Sequence, residues 1–434
     1  MSWGLVLRHS DGRELEVYDI GEVAAPVELK QLGMDREMSQ EIMAAVQRQI
    51  VGLQEVELAA AARARARAVP SLEIKDYRVR KIHTLFGTAV IKVPRLRYEG
   101  KTRNFVTWPR ATRATPELDY MRVKLAAWMS FPKAMSLLTE LCPVDGGAAV
   151  GTAHNRVRDF AWKECEASSD PVPEASEVVL PIDTTFVKGL PGLAEKSLEI
   201  MVGAAEANRG EQTYFASPIT MQSQCKRLGG EALDRVGRSA KTNLIAFTDG
   251  GGNVRRLARD LGATQAPITD WFHISMRIRH VEAVASAFRA TTRPMEASRT
   301  SIIRKVERLR WRLWHGKSGG ISRTLSELSM DLRTYRGDPD QAGWKRSGSK
   351  LRQSIDKLED YVTSYKTRLI NYGGRQSSGR RVSTSLVEGG ADFIVNARMG
   401  RKQHMRWSSR GAFQILQART ADINGLLESQ FLAA

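Results

Sequence analysis

The feature that most restricts the fold is a series of short apolar segments in the middle of the chain, each with the length and composition of a β-strand. They cover residues 177–186, 197–205, 212–219, 243–248 and 266–272. Helical patterns separate the third segment from the fourth and the fourth from the fifth. This order of three strands, a helix, a strand, a helix and a strand predicts an α/β domain whose helices pack against one sheet.

Acidic residues stand near the ends of three of these segments. Asp183 ends the first in Leu-Pro-Ile-Asp, Asp249 follows the fourth, and Asp270 lies near the end of the fifth. A carboxylate at a strand end projects into the crevice where open α/β sheets bind ligands. An aspartate there more often forms a turn or caps a helix, which also fits Asp249 before three glycines. The strand order with acidic ends is that of a ribonuclease-H-like sheet.

The rest of the chain divides by pattern into regions around this domain. The last helix of the α/β pattern arrives only at residues 383–399, after a long polar helical stretch that is therefore interpreted as an insertion. A Ser/Pro-rich segment at 168–176 is the clearest linker. The predicted regions are a helical region over 1–70, a basic β-hairpin unit over 71–110, a helical region over 111–170, the α/β domain over 171–290 and 376–427, and an all-helical insertion over 291–375.

The charge of the chain favours a polyanionic partner. Its 434 residues include 66 Lys and Arg against 48 Asp and Glu, a net charge of +18. Nucleic acid is the commonest such partner, although a basic solvated surface gives the same number. A helix-turn-helix pattern over 132–159 carries Arg156 and Arg158 on its second helix, where side chains reach base edges in the major groove. A plain helical hairpin has the same composition.

Cysteine usage and hydropathy indicate where the protein works. The three cysteines lie far apart and form no CxxC pair, so neither a disulfide framework nor a thiolate zinc site is predicted. The first residues do not resemble a secretory signal, and no apolar stretch approaches the length of a membrane span. We therefore expect a cytoplasmic protein associated with the nucleoid, with no membrane partner.

A third carboxylate, Glu388, lies in the late helix among apolar neighbours. Cleavage of a phosphodiester by two metal ions requires carboxylates from separate elements to meet. Asp183, Asp249 and Glu388 are therefore candidate ligands of two Mg²⁺ ions, for which Mn²⁺ is able to substitute. A helical glutamate is usually a surface residue, but the glycines that follow Glu388 indicate the close approach of another group.

Basic residues are frequent on both sides of Glu388 and predict contacts with DNA strands. A solvated basic face is the alternative for the group as a whole. The tryptophan among them is able to stack on a base, although a core position is the commoner one. The candidate DNA-contacting residues of this region are Arg380, Arg381, Arg398, Arg401, Lys402, Arg406 and Trp407.

Four motifs, taken in order along the chain, resemble those of one enzyme family. They are Thr-Asp-Gly-Gly-Gly-Asn-Val-Arg-Arg-Leu from residue 248, Thr-Asp-Trp-Phe-His-Ile from 269, Ser-Leu-Val-Glu-Gly-Gly from 385 and Met-Arg-Trp-Ser from 405. With these motifs the chain resembles the DDE transposases of bacterial insertion sequences, specifically the ISKra group of the Mutator-like superfamily. The likeness covers roughly residues 77–427.

The resemblance implies a ribonuclease-H-like catalytic domain that an all-helical insertion interrupts before its final helix. Asp183, Asp249 and Glu388 match the three catalytic carboxylates. Asp270 and His273 match an Asp-x-x-His signature beside the active site, so Asp270 joins the candidate DNA-contacting residues and His273 is expected to contact DNA or assist at the scissile phosphate. The implied reaction is metal-dependent cleavage of 3′ ends at the terminal inverted repeats of an insertion sequence, followed by transfer to target DNA. A homodimer or a higher oligomer is expected to hold the two element ends.

Two other functions fit the same residues. A non-catalytic DNA-binding regulator derived from a transposase would keep the basic surface and the helix-turn-helix, although all three acids are intact here. A ribonuclease-H-like nuclease would cut DNA without joining it. A Mg²⁺-dependent nicking assay distinguishes the first from a transposase, and a strand-transfer assay distinguishes the second.

Overall fold

The structure is a computed structural model of the chain, and it divides into two compact units. The first unit comprises Met1–Cys165 and Gly425–Ala434, and the second comprises Glu166–Asn424. The structure describes residues 2–432 except 9–11, 13, 23–24, 30–31, 107, 109–112, 164–171, 193–195, 288–292, 335–341, 365–368, 401 and 403.

The first unit contains two small antiparallel sheets and several helices. One sheet pairs β1 with β2, and the other has the order β3-β4-β5. The strands are β1 (Ser2–Arg8), β2 (Glu14–Glu22), β3 (Glu73–Thr84), β4 (Gly87–Tyr98) and β5 (Lys101–Asn104). The helices are α1 (Arg36–Ala68), α2 (Pro116–Trp128), α3 (Phe131–Leu141), α4 (Val150–Ala161) and, near the end of the chain, α15 (Ser429–Leu432).

One prediction for this unit is corrected. Ser2–Arg8 and Glu14–Glu22 form a strand pair, so the helical region predicted for residues 1–70 begins only at α1. The local sequence Glu-Leu-Glu-Val in β2 alternates polar and apolar residues with the period of a strand, which accounts for the difference. The predicted basic hairpin is confirmed as β3 and β4, and its turn is Leu85-Phe86, because Thr84 pairs with Gly87.

The second unit contains a five-stranded sheet and most of the helices of the chain. Its strands are β6 (Glu177–Lys188), β7 (Ser197–Ala207), β8 (Gln212–Pro218), β9 (Asn243–Thr248) and β10 (Ile268–Thr269). Its helices are α5 (Gln222–Arg235), α6 (Gly252–Asp260), α7 (Trp271–Ser286), α8 (Arg293–Trp314), α9 (Ser318–Thr334), α10 (Ala342–Ser364), α11 (Tyr372–Ser377), α12 (Ser385–Gly390), α13 (Ala397–Met399) and α14 (Ser409–Ile423). Across the described parts of both units, no helix has the length and apolar character needed to cross a bilayer.

The sheet of the second unit is mixed, with the strand order β10-β9-β6-β7-β8. Strands β6, β7 and β8 are antiparallel neighbours, whereas β9 runs parallel to β6 and β10 runs parallel to β9. All five predicted strands are present, and the prediction of an α/β domain is confirmed at this level.

Helices cover both faces of this sheet. Successive residues of a strand point to opposite faces, so one strand contributes to two cores. Leu244 and Ala246 of β9 belong to a core shared with α5 and α6. Ile245 and Phe247 belong to a second core with α7, and that core continues through α8, α9 and α10. The helical segment predicted as an insertion therefore packs on the sheet through α7.

The late helical segment is not one regular helix. Helix α12 continues into a π-helical segment, Ala391–Asn396, and then into α13. Helix α12 contacts β6 and β7, and α14 packs on β8. The short helix α11 precedes this segment and begins at Tyr372, after the capping residue Asn371.

Candidate active site

Three aspartates lie side by side at equivalent positions of neighbouring strands. The residues that precede Asp183, Asp249 and Asp270 pair with one another in register, in the strand order β6, β9, β10. Adjacent strands lie about 4.8 Å apart, so each aspartate is next to its neighbour at the same edge of the sheet. Asp183 does not end its strand as predicted: pairing with β9 stops just before it, while β6 continues to Lys188 along β7.

Asp183 is a buried carboxylate with one backbone donor. It is 7% exposed, and its Oδ1 accepts a hydrogen bond of 2.8 Å from the backbone N–H of Thr184. Burial raises the pKa of Asp183, and the negative charges of Asp249 and Asp270 act in the same direction, while His273 opposes them. A cation placed beside this carboxylate would therefore be favoured, because it relieves the repulsion among the acids.

Asp249 is held at the strand end by two contacts. Its Oδ1 accepts a hydrogen bond of 2.8 Å from the backbone N–H of Gly251, in the turn that opens α6. Its backbone carbonyl accepts a hydrogen bond of 3.0 Å from the hydroxyl of Tyr361 on α10. The helical segment after α7 is thus bonded directly to the strand that carries this acid.

Asp270 is completely buried and joins three parts of the site. It caps α7, accepting hydrogen bonds from the backbone N–H groups of Phe272 and His273 at 3.0 and 3.3 Å. It also accepts hydrogen bonds from the backbone N–H and the hydroxyl of Thr384, at 2.9 and 2.7 Å. The prediction that Asp270 contacts DNA is wrong, because the residue is 0% exposed and both of its oxygens are engaged inside the protein.

His273 lies between Asp270 and Asp183. Its Nδ1 is 2.7 Å from an oxygen of Asp270, and its Nε2 is 4.0 Å from Oδ1 of Asp183. Burial disfavours the charged ring, but the hydrogen bond with Asp270 and the charges of Asp183 and Asp249 outweigh burial and raise the pKa of His273. The raised pKa favours the protonated ring, which would place a positive charge beside the acids.

Glu388 reaches the same site from the late helix. Helix α12 packs on β6 and β7, and the backbone N–H of Glu388 bonds to the carbonyl of Thr384, the residue that Asp270 holds. Burial raises the pKa of Glu388, the charges of Asp183 and Asp270 raise it further, and His273 lowers it. Glu388 is therefore within electrostatic range of the predicted partner Asp183.

The glycines after Glu388 do not mark the close approach that the sequence indicated. A Cβ added at Gly389 would meet no atom within 4 Å. One added at Gly390 would be 3.5 Å from the ring of Tyr214, which is ordinary van der Waals contact. No neighbour therefore requires glycine at either position.

The acids share one electrostatic environment without forming a complete set of metal ligands. Among the described residues, no three His, Cys, Asp or Glu side chains are grouped so as to hold one metal ion. The chemistry of the donors still fits Mg²⁺, which prefers carboxylate oxygens and is usually bound through one or two of them together with water. Asp183 and Asp249 are the best placed pair, since their strands are adjacent and in register.

No protein-family model matches the chain, and a search of curated proteins also found no match. The functional interpretation therefore depends on the site itself. There, the pKa values of Asp183 and Glu388 are raised mainly by burial, with further contributions from neighbouring carboxylates, and the pKa of His273 is raised by the acids around it.

The basic residues predicted to contact DNA near Glu388 have different environments. Arg398 and Trp407 are 3% and 8% exposed, and the guanidinium stacks 5.3 Å from the indole ring, so the prediction of DNA contact is wrong for both. Arg381 bonds to Glu206 at 2.7 and 2.8 Å. The exposed members are Arg380, Lys402 and Arg406, while Arg401 lies outside the described residues.

Within the first unit, the two arginines of the predicted helix-turn-helix are engaged by acids. Helices α3 and α4 form as predicted. Arg156 lies 3.3 Å from a carboxylate oxygen of Asp119 on α2, and Arg158 lies 3.1 Å from Asp159. Both side chains are only partly exposed, so the packing of α4 on α2 accounts for Arg156 without a DNA contact.

Thr384 and Tyr361 belong to this site, although the sequence patterns did not single them out. Thr384 is 0% exposed and ties the start of α12 to Asp270, and Tyr361 ties α10 to Asp249. The sequence signal for Thr384 is its position four residues before the candidate catalytic Glu388. Its burial cannot be read from the sequence. No local signal marks Tyr361, because its partner is 112 residues away.

Proposed function

We propose that this chain is a DDE transposase with a ribonuclease-H-like catalytic domain, which cleaves 3′ ends at the terminal inverted repeats of an insertion sequence and joins them to target DNA. The observation that carries the proposal is the meeting of Asp183, Asp249 and Glu388 around His273. These acids come from β6, from the end of β9 and from α12, yet Asp183 interacts electrostatically with Asp249 and with Glu388, and each of the three interacts with His273. Acids that raise one another's pKa around a histidine cluster at functional sites more often than at purely structural ones.

The topology of the second unit supports the ribonuclease-H-like assignment. Three antiparallel strands come first in the chain, and two parallel strands then extend the sheet from the other side of β6. The first acid lies in the central strand, and the last lies on a helix that packs against that strand. The helical segment α8 to α10 interrupts the domain before this helix, as the resemblance to DDE transposases implies.

The proposed chemistry assigns a task to each residue. Asp183, Asp249 and Glu388 would hold two Mg²⁺ ions, or Mn²⁺ in their place, with water and phosphate oxygens completing the coordination. When bound, the ions stabilise negative charge on the attacking and leaving oxygens. His273, charged and oriented by Asp270, offers an N–H donor to a phosphate oxygen at the same edge of the sheet.

The proposal is tested by Mg²⁺-dependent nicking of a supercoiled plasmid that carries the coding sequence of this chain with its flanking DNA. Asp183→Asn, Asp249→Asn and Glu388→Gln are each expected to abolish the open-circular product while the protein still binds the plasmid. Asp260→Asn removes an exposed carboxylate at the end of α6 and is expected to leave nicking unchanged. Wild-type nicking by any one of the three variants would exclude that residue from the site.

Two further outcomes would favour the other functions. A wild-type chain that binds the flanking DNA but never nicks it, with Mg²⁺ or Mn²⁺, would favour a DNA-binding regulator. A chain that nicks but does not join a precut end to a target plasmid would favour a nuclease. Joined products from a precut end would support the transposase.

A further inference from the structure

A cleft between helices α7 and α10 opens beside His273. Its volume is about 610 Å³. Its walls carry Arg277, Arg279 and His280 from α7 and Lys357 from α10. No Asp or Glu side chain of the described residues lines it. The cleft is therefore a positively charged passage that begins at the candidate active site.

The residues that α7 contributes form a stripe at helical spacing. His273, Arg277 and His280 are separated by four and three residues, which puts them on one face of the helix. Met276 lies on the same face and is 51% exposed. The guanidinium of Arg277 stacks 4.2 Å from the ring of Tyr361, so this charge has a fixed place although the side chain is exposed.

The cations of the cleft are not neutralised by the protein. Within the described residues, neither Arg277, Arg279 nor Lys357 forms an ion pair, whereas Arg352 on α10 lies 3.7 Å from Asp356. Uncompensated like charges in a concave site repel one another and attract a polyanion. A phosphodiester backbone is a polyanion whose charges are regularly spaced, so it is a suitable ligand for a cleft lined by several cations.

We propose that this cleft binds an unpaired segment of the DNA strand that the active site cuts; this inference rests on the proposed function. Phosphates lie against Arg277, Arg279 and Lys357, and a sugar or base packs on the thioether of Met276. A cleft of about 610 Å³ is in the range of sites that enclose one small ligand, about one or two nucleotides, which is much less than the volume of a duplex segment. The strand therefore enters unpaired, directly beside His273.

Fluorescence anisotropy in EDTA tests the inference without cleavage. Three labelled probes are compared: a blunt duplex, the same duplex with a single-stranded 3′ overhang, and the single strand alone. The wild-type chain is expected to bind the two probes with unpaired ends more tightly than the blunt duplex. The variant Arg279→Gln/Lys357→Gln is expected to lose this preference, with affinity for the overhang falling about 25-fold at about 0.1 M salt.

The salt dependence gives a second, quantitative readout. Removal of two phosphate contacts to a single strand should make the slope of log K against log salt concentration shallower by about 1.4, and R279Q or K357Q alone should change it by about half as much. Arg259→Gln/Lys241→Gln is the matched control, because it removes the same charges at exposed positions outside the cleft. The control is expected to keep the preference for unpaired ends.

Three outcomes would overturn the inference. They are a wild-type chain without preference for unpaired ends, a double variant that keeps the preference, and a double variant that loses affinity for all three probes alike. Failure of the proposed function gives a different pattern: the wild type prefers unpaired ends in EDTA but never nicks with Mg²⁺. If the wild-type chain nicks DNA but shows no preference for unpaired ends, the proposed function is retained and the proposed role of the cleft is excluded.

Discussion

At the scale of single residues, Asp270 is the residue on which the geometry of the site depends most. Burial alone would raise its pKa, but the hydrogen bonds from His273 and Thr384 outweigh burial and keep the pKa of Asp270 below its usual value. The carboxylate therefore stays ionised and orients the imidazole beside Asp183. Through Thr384 it also fixes the first turn of the helix that carries Glu388.

Thr384→Val tests this positioning role. The change keeps the shape of the side chain but removes the hydroxyl donor, so a buried charged oxygen of Asp270 loses one partner. We expect the free energy of unfolding to fall by about 1.5 to 3 kcal/mol, measured by urea denaturation. Nicking should slow as well, because only the backbone N–H of residue 384 then ties the start of α12 to Asp270.

Thr384→Ser is the matched control, since it retains the hydroxyl and loses only a methyl group. We expect it to restore most of the stability and the nicking rate of the wild type. If the valine variant nicked at the wild-type rate and was equally stable, Thr384 would have no positioning role. Equal losses in both variants would point to packing of the methyl group instead.

The charge on His273 gives a prediction about pH. A histidine whose pKa is raised in the folded protein stabilises the fold fully below its unfolded pKa, and this contribution disappears as pH rises through the folded value. We therefore expect His273→Gln, in EDTA, to be less stable than wild type at about pH 5.5 and to approach wild type at about pH 9. Thermal denaturation at both pH values measures the difference, and a deficit that is larger at high pH would contradict the assignment.

At the scale of elements, the helix that carries Glu388 is less constrained than its sequence suggested. Gly389 is exposed, and a Cβ there would meet no atom within 4 Å. Alanine loses less backbone freedom than glycine on folding, so Gly389→Ala should stabilise the protein by about 0.5 to 1 kcal/mol. Differential scanning calorimetry measures the change, and a lower melting temperature would show that Gly389 has a role beyond helix formation.

Replacement of Gly203 of β7 by alanine is expected to have the opposite effect on stability. A Cβ at this position would be 2.2 Å from the ring of Phe215, within a core strand next to Asp183's strand. Gly203→Ala is therefore expected to destabilise the protein by about 1 to 3 kcal/mol through overpacking. If both alanine variants changed the melting temperature in the same direction, local packing would not explain these glycines.

The sequence patterns predicted the strands of the second unit because local alternation and apolar content are sufficient for that. They did not predict that Asp183 lies inside a strand, because the continued pairing of β6 with β7 beyond the end of its pairing with β9 is a property of the sheet. They also assigned Asp270 and Trp407 to DNA, since a polar or aromatic residue near a candidate site gives no sign of burial.

The stripe on α7 can be seen in the sequence, but its function cannot. His273, Arg277 and His280 have the spacing of one helical face. The function of these residues depends on Lys357, which lies across the cleft on α10 and more than 80 positions after His273 in the sequence. Residues that far apart in the sequence leave no local pattern, so the cleft can be recognised only from the fold.

At the scale of the whole molecule, a net charge of +18 does not by itself locate the DNA. Some of the cations form contacts within the protein: Arg122 and Arg419 are almost fully buried, and Arg156 forms an ion pair with Asp119. Others are exposed beside the candidate active site in the second unit. The expected oligomer and the role of the helices in the first unit stay predictions.

The central claim is that Asp183, Asp249 and Glu388 form one metal-dependent site. It is tested most directly by anomalous X-ray diffraction from crystals of the full chain soaked in MnCl₂. We expect anomalous density at the edge of the sheet, in contact with the carboxylates of Asp183 and Asp249, with Glu388 as a further ligand. Manganese bound elsewhere, with this edge empty in crystals of the protein alone and of its DNA complex, would contradict the claim.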